Sequence, residues 1–165
     1  MSSVGSSNYY AIRHVLHTPW KRCNGFNLIE LVVVIAIIGI LSAIAVPSFT
    51  STVSSMRAKA VASDLYMALI KARSEAVKRN AKVTLTIVDG KGWKVYPSLA
   101  VDSILESHVV SGDVSIGVGS VEYNSSGRPS ATASFTITAI LGSSTSQRCV
   151  AIGLSGLPNV KSTSC

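Results

Sequence analysis

One carboxylate set among apolar residues is the group in this 165-residue chain that most needs a chemical explanation. Residues 25–30 read Gly-Phe-Asn-Leu-Ile-Glu, and from Phe26 to Phe49 Glu30 is the sole charged side chain. A carboxylate inside a membrane-spanning helix costs about 3 kcal/mol on insertion scales, and less near the interface. Cleavage of the peptide bond after Gly25 would leave a free amine on Phe26, about one helical turn from Glu30. Two readings of the acid stand side by side. It is favoured by the helix dipole in the first turn, or it is compensated by the cationic N-terminal amine of a neighbouring subunit. The second makes the segment both a processing site and an assembly joint.

The other reactive side chains offer less. His14 and His17 precede the apolar run, and His108 stands alone in a strand-like stretch. There is no Cys-x-x-Cys pair and no Cys/His cluster, so no metal site is expected. The serines have no plausible His/Asp partners. Gly117-Val118-Gly119 lacks the strand–helix context of a phosphate loop. Trp93 and Tyr96 read as sheet-packing residues, with base stacking as the alternative. No catalytic residue, no enzyme activity and no cofactor is expected.

The elements that must position Glu30 follow from the flanks. As a helix, residues 26–49 would be about 36 Å long, enough to cross a bilayer core with some tilt. Arg13, Lys21 and Arg22 precede this run with no acid among them, which places the N-terminal side in the cytoplasm and the C-terminal domain outside. A secretory signal peptide has a shorter apolar core and a small-x-small cleavage site after it. Here the candidate site at Gly25 comes before the run, so cutting there keeps the helix. An uncleaved single-pass membrane protein is the rival reading. If the C-terminal domain is exported, Cys149 and Cys165 form a disulfide. It would contribute about 3 kcal/mol and pin the chain end.

The formal net charge of +7 has two sources, the leader and the stretch from Arg57 to Lys82. In that stretch Arg57, Lys59, Lys71, Arg73, Lys78, Arg79 and Lys82 face only Asp64 and Glu75. The plain reading is a solvated helix face near anionic lipid; nucleic-acid contact is the sharper alternative. Val53, Met56, Ala60, Val61, Leu65, Ala68, Leu69, Ala72 and Ala76 recur at spacings of three and four, predicting one helix from Phe26 to about Arg79. From Lys82 the period becomes two. Val83, Leu85 and Ile87 alternate with threonines, Asp89–Gly92 supplies a turn, and Trp93–Tyr96 returns as a hairpin. Further strands are expected at 104–110, 114–118, 121–124, 134–140 and 148–154. Ser51–Ser55 reads as a polar juxtamembrane turn, Ser143–Ser146 as a loop tip and Gly127-Arg128-Pro129 as a turn.

Gly25-Phe26-Asn27-Leu28-Ile29-Glu30 resembles the class III signal sequence of type IV pilins and type II secretion pseudopilins, with Asn27 where that pattern has Thr or Ser. The resemblance implies a prepilin peptidase that cuts after Gly25 and methylates the amine of Phe26. It implies that Glu30 promotes assembly, and that Pro47 marks a kink in the helix. The domain resembles the GspH/FimT branch in Ala72-Arg73-Ser74-Glu75-Ala76, in Gly92-Trp93-Lys94-Val95, and in Arg148–Gly156 with the closing Cys165. The implied fold is α+β and pilin-like: a long N-terminal helix, transmembrane and then amphipathic, packed on an antiparallel β-sheet domain. Its parts are a cleaved leader (1–25), a transmembrane or filament-core helix (26–49), the amphipathic second half of the helix (50–80) and an exported sheet domain (81–165). The implied function is that of a minor pilin or pseudopilin subunit of a type II secretion system or type IV pilus. The implied partners are prepilin peptidase, other pilins in a filament, an inner-membrane assembly platform and the lipid bilayer. The chain would sit in the inner membrane with its C-terminal domain in the periplasm, and then in the filament. The alternative is a FimT-like DNA-binding minor pilin. FimT-like members carry Gly-Arg-x-Arg after the last strand, where this chain has Gly156-Leu157-Pro158-Asn159. That leaves Arg148 and Lys161 as weak candidate DNA contacts, too few cations for duplex binding at physiological salt.

Overall fold

A computed structural model describes residues 25–165. The leader, with Arg13, His14, His17, Lys21, Arg22 and Cys23, lies outside the described residues, as does the side chain of Pro47. The chain divides into two units, one ending at Ile38 and one spanning Gly39–Cys165. A single helix, α1 (Leu28–Arg79), belongs to both.

Local chemistry sets both ends of α1. Asn27 is the N-cap: its Oδ1 accepts from the Ile29 amide at 3.4 Å and its carbonyl from the Leu31 amide at 3.2 Å. Asn is as good a cap as Ser or Thr, so the departure from the family pattern keeps the physics of the position. At the other end Asn80 takes φ 50°. The Ala81 amide donates to the Ala76 carbonyl and the Asn80 amide to that of Val77, each at 3.2 Å. This is the Schellman closure, for which Asn is the commonest choice after Gly.

In the first unit none of the described residues covers the helix. Its apolar side chains are exposed, from 42% at Val34 to 78% at Phe26 and Leu28. In the second unit the same helix turns amphipathic and buries Ala58, Ala62, Leu65, Leu69, Ala72 and Ala76. The stripe is rotated slightly from the expected one. Met56 and Ala60 are exposed, and Ser54 is buried in their place with its Oγ donating to the Ser51 carbonyl at 2.9 Å. That internal bond is what lets a hydroxyl occupy a core position.

Eight strands follow: β1 (Val83–Ile87), β2 (Gly92–Pro97), β3 (Glu106–Val109), β4 (Val114–Ile116), β5 (Ser120–Tyr123), β6 (Ala133–Leu141), β7 (Ser144–Ile152) and β8 (Pro158–Lys161). They form two antiparallel sheets rather than one, in the orders β3-β2-β1-β5 and β4-β6-β7-β8. The expected hairpin is β1/β2, with Leu85 opposite Val95. Inward residues of both sheets, among them Trp93, Tyr123, Phe135 and Ile137, share one core with α1. Gly92 is required where β2 meets β3, because a Cβ there would lie 2.1 Å from the His108 carbonyl oxygen.

Three expectations change. Ser51–Ser55 is helix, not a turn, and Ser144–Ser146 is the start of β7, not a loop tip. Helix and β7 meet at these stretches' edges: the Thr50 and Ser144 hydroxyls are 3.1 Å apart, and Arg148 Nη2 donates to Ser55 Oγ at 3.2 Å. Residues 158–161, read as lying beyond the last strand, form β8, paired from Ile152↔Pro158 to Cys149↔Lys161. The proline is tolerated because β8 is an edge strand.

Candidate functional site

The N-terminal site is built from neighbours in sequence. Gly25, Phe26 and Glu30 are all exposed, and nothing lies within 4 Å of where a Cβ on Gly25 would be. Gly25 and Phe26 lie outside the helix, just before its cap. Asn27 fixes Glu30 at the third helical position, in the first turn, where the unpaired amides and the dipole favour an acid. Glu30 has no hydrogen-bond or ion-pair partner among the described residues.

The basic face of α1 is spent inside the domain. Arg57 pairs with Asp113, Lys71 with Glu106 at 2.8 Å, Lys78 and Arg79 with Glu75, and Lys82 with Glu122 at 2.9 Å. The Glu75 carboxyl is held below its usual range by the Arg79 guanidinium, and Glu122 by the Lys82 ammonium and the Ser98 hydroxyl. Lys71 is raised by its bond to Glu106. Arg73 Nε donates to the Gly127 carbonyl at 3.0 Å. That leaves Lys59 as the base of this face without a partner among the described residues.

The two candidate DNA contacts differ. Arg148 is half-buried on the helix side of β7, opposite the buried Ile137, and is bonded to Ser55. Lys161 is exposed on β8 with no partner among the described residues. Gly127-Arg128-Pro129 follows a turn rather than forming one: the turn is at Ser125-Ser126, closed by the Gly127 amide donating to the Asn124 carbonyl at 2.9 Å and by Asn124 Oδ1 accepting from the amides of Ser126 and Arg128, both at 3.0 Å, and Pro129 already bridges to Tyr123. Trp93 is buried and stacks on His108 with ring centroids 4.3 Å apart, so the lone histidine is a packing residue. Tyr96 is half-buried, its hydroxyl 3.1 Å from that of Thr86.

Cys149 and Cys165 are disulfide-bonded across 16 residues. The bond returns the chain end over β7, and the Cys165 amide donates to Thr136 Oγ1 on β6 at 3.4 Å. Sequence reasoning did not find the interlock at Gly156. This residue has φ 79°, and a Cβ on it would lie 2.2 Å from the Gly127 carbonyl oxygen, the same oxygen that Arg73 binds. The turns before β6 and before β8 are thus held against α1 at one point.

The family described as "Type II transport protein GspH" matches residues 61–156, and the "Prokaryotic N-terminal methylation motif" matches residues 20–46. Two crystal forms of the type IV minor pilin FimU of Pseudomonas aeruginosa are similar in structure. The P21 form has 18% identity and TM-score 0.52, covering 64% of this chain and 87% of that one. The P65 form has 19% identity and TM-score 0.51, covering 62% and 91%. No curated protein matches the chain.

Proposed function

Because the chain belongs to the GspH family and serves as a minor pilin or pseudopilin, we propose that Gly25 is its cleavage site, Phe26 its methylated N-terminus and Glu30 its assembly residue. Family membership and the methylation motif support a subunit that is processed by prepilin peptidase, anchored by its N-terminal helix and assembled with other pilins. One observation carries the finer reading: an exposed apolar stretch of α1, Leu28 to Phe49, whose single acid stands in the first turn after Gly25-Phe26.

The mechanism follows from charge and burial. In the membrane, lipid covers the apolar side chains and Glu30 stays near the interface. In the filament, neighbouring helices replace lipid, and the carboxylate of Glu30 pairs with the amine of a neighbour's Phe26. Neither charge is then left alone in an apolar core, where an unpaired ion costs several kcal/mol. The pair also sets axial register, because one misplaced turn would strand both charges. Pro47 supplies a bend that lets the helix follow its neighbours. The C-terminal domain stands on the outer side of the inner membrane and meets the assembly platform there.

Glu30→Val tests this. The variant is cut to mature size but is lost from sheared filaments, which immunoblots of membrane and filament fractions would show. Normal incorporation would sink the charge-pairing mechanism.

A further inference from the structure

Asn124 is the one asparagine of the chain with a hydroxyl residue two positions later. Asn124-Ser125-Ser126 fits Asn-x-Ser/Thr without proline, the pattern that accepts an N-linked glycan in surface loops of exported proteins. Three matching residues are weak by themselves, and their setting decides what they are worth.

All three are exposed, just past the end of β5. The backbone turns on Ser125 and Ser126, and the Asn124 amide closes the loop by donating to the Arg128 carbonyl at 2.9 Å. Arg73 binds the carbonyl of Gly127, so the turn is fixed to α1 and is not a loose tail.

The Asn124 side chain is held by its oxygen alone. Oδ1 accepts from two backbone amides, those of Ser126 and Arg128. Both groups are donors, which assigns the oxygen to their side and turns Nδ2 away from them. Nδ2 and the Ser126 hydroxyl have no hydrogen bond among the described residues. An amide nitrogen is a poor nucleophile because its lone pair is shared with the carbonyl. Donors on Oδ1 stabilise the imidate that forms as the nitrogen loses a proton, so the turn favours the reacting form.

We propose that Asn124 is an N-glycosylation site, modified on the outer side of the membrane by a transferase that uses a polyprenyl-diphosphate-linked oligosaccharide. Nδ2 attacks the anomeric carbon of the sugar. The carbon–nitrogen bond forms as the bond from that carbon to the phosphate oxygen breaks. Polyprenyl diphosphate leaves with the electron pair, and Nδ2 gives one proton to a base of the transferase. The Ser126 hydroxyl offers the transferase a second hydrogen-bonding group beside the nucleophile. The product carries a bulky hydrophilic cover on the end of the domain where α1 stops. The site goes beyond the subunit role and rests on it only for export of the domain.

The test is mass spectrometry of the full-length protein expressed in its own host, on the intact chain and on its peptides. The wild-type chain is expected to be heavier than its processed sequence by whole sugar residues, all on the peptide that contains Asn124. Asn124→Asp keeps an oxygen for both amides and removes the nitrogen. It is expected to lose the whole increment at an unchanged melting temperature. Ser126→Ala is expected to lose it too, and Ser126→Thr to keep it. An increment that survives in Asn124→Asp would put the sugar elsewhere and overturn the site. A membrane-impermeant amine reagent applied to spheroplasts reports export through the exposed Lys59 and Lys161. A labelled wild-type chain at its bare sequence mass would overturn this site alone. A chain that stays unlabelled until the membrane is opened would overturn the export reading and this site together.

Discussion

The two ends of α1 solve the same problem in opposite ways. From Leu28 to Phe49 the helix exposes every described large apolar side chain, and its ordering information is local: a cap at Asn27, an acid at Glu30 and, before them, the bond proposed for cleavage. From Ser54 to Ala76 the helix buries one stripe against two sheets, and its order comes from residues up to about a hundred positions away. The first region is completed by other molecules, the second by its own chain. A change in the first should therefore alter processing or assembly without touching the fold. A change in the second should do the reverse.

The largest test of that division is Gly25→Ala. A methyl on the residue before the scissile bond is expected to abolish cleavage, leaving only the precursor-sized band on a gel, while the thermal melt of the C-terminal domain stays unchanged. A mature-sized product would count against the site. Next is Gly156→Ala, which places a Cβ against the Gly127 carbonyl at a positive φ. Such strain at a special backbone position is expected to destabilise the domain by about 3 kcal/mol, lowering its melting temperature but sparing cleavage. Reduction of Cys149–Cys165 is expected to cost a similar or slightly smaller amount, about 3 kcal/mol, in denaturant titrations with and without reductant.

Tyr123→Phe should give the smallest effect, and with the opposite sign. The Tyr123 side chain is fully buried and its hydroxyl has no partner among the described residues. Removing an orphaned hydroxyl is expected to stabilise the domain by about 1 kcal/mol. Burial also pushes the Tyr123 phenol up to about 12 from 10.0. A raised folded-state value means its contribution is intact below pH 10 and is lost as pH climbs towards 12. The phenylalanine variant should therefore resist alkaline unfolding better than wild type in that window, and equal pH profiles would show that Tyr123 is not the responsible group. At the acid end Glu75 and Glu122 act the other way. Their lowered values mean stability is lost as pH falls below 4.5.

The same division explains what could be read from sequence. The N-terminal motif, the helix end near Asn80 and the β1/β2 hairpin are legible because each is written in a few adjacent residues. The Ser/Thr-rich stretches misled for the opposite reason. Ser54 and Ser144 look like turn residues locally, and only the tertiary fit of helix against β7 makes them helix and strand. β8 was missed because it opens with Pro158 and is short; the ladder to β7 defines it, and no periodicity announces it. Met56 and Ala60 fit the apolar spacing but fall on the solvent side, since the stripe is centred on Ala58, Leu65 and Ala72. The Arg73–Gly127–Gly156 interlock has no local signature at all, because it joins three segments through one carbonyl oxygen.

The hydroxyl contact between Thr50 and Ser144, with Ser55 and Arg148 beside it, bears on how the molecule answers force. Each such hydrogen bond contributes only about 1 kcal/mol net, since water replaces it readily. Higher up, Leu65 and Leu69 are fixed by oil, which water does not replace. A pull along α1 therefore meets least resistance at this lower, hydroxyl-lined seam.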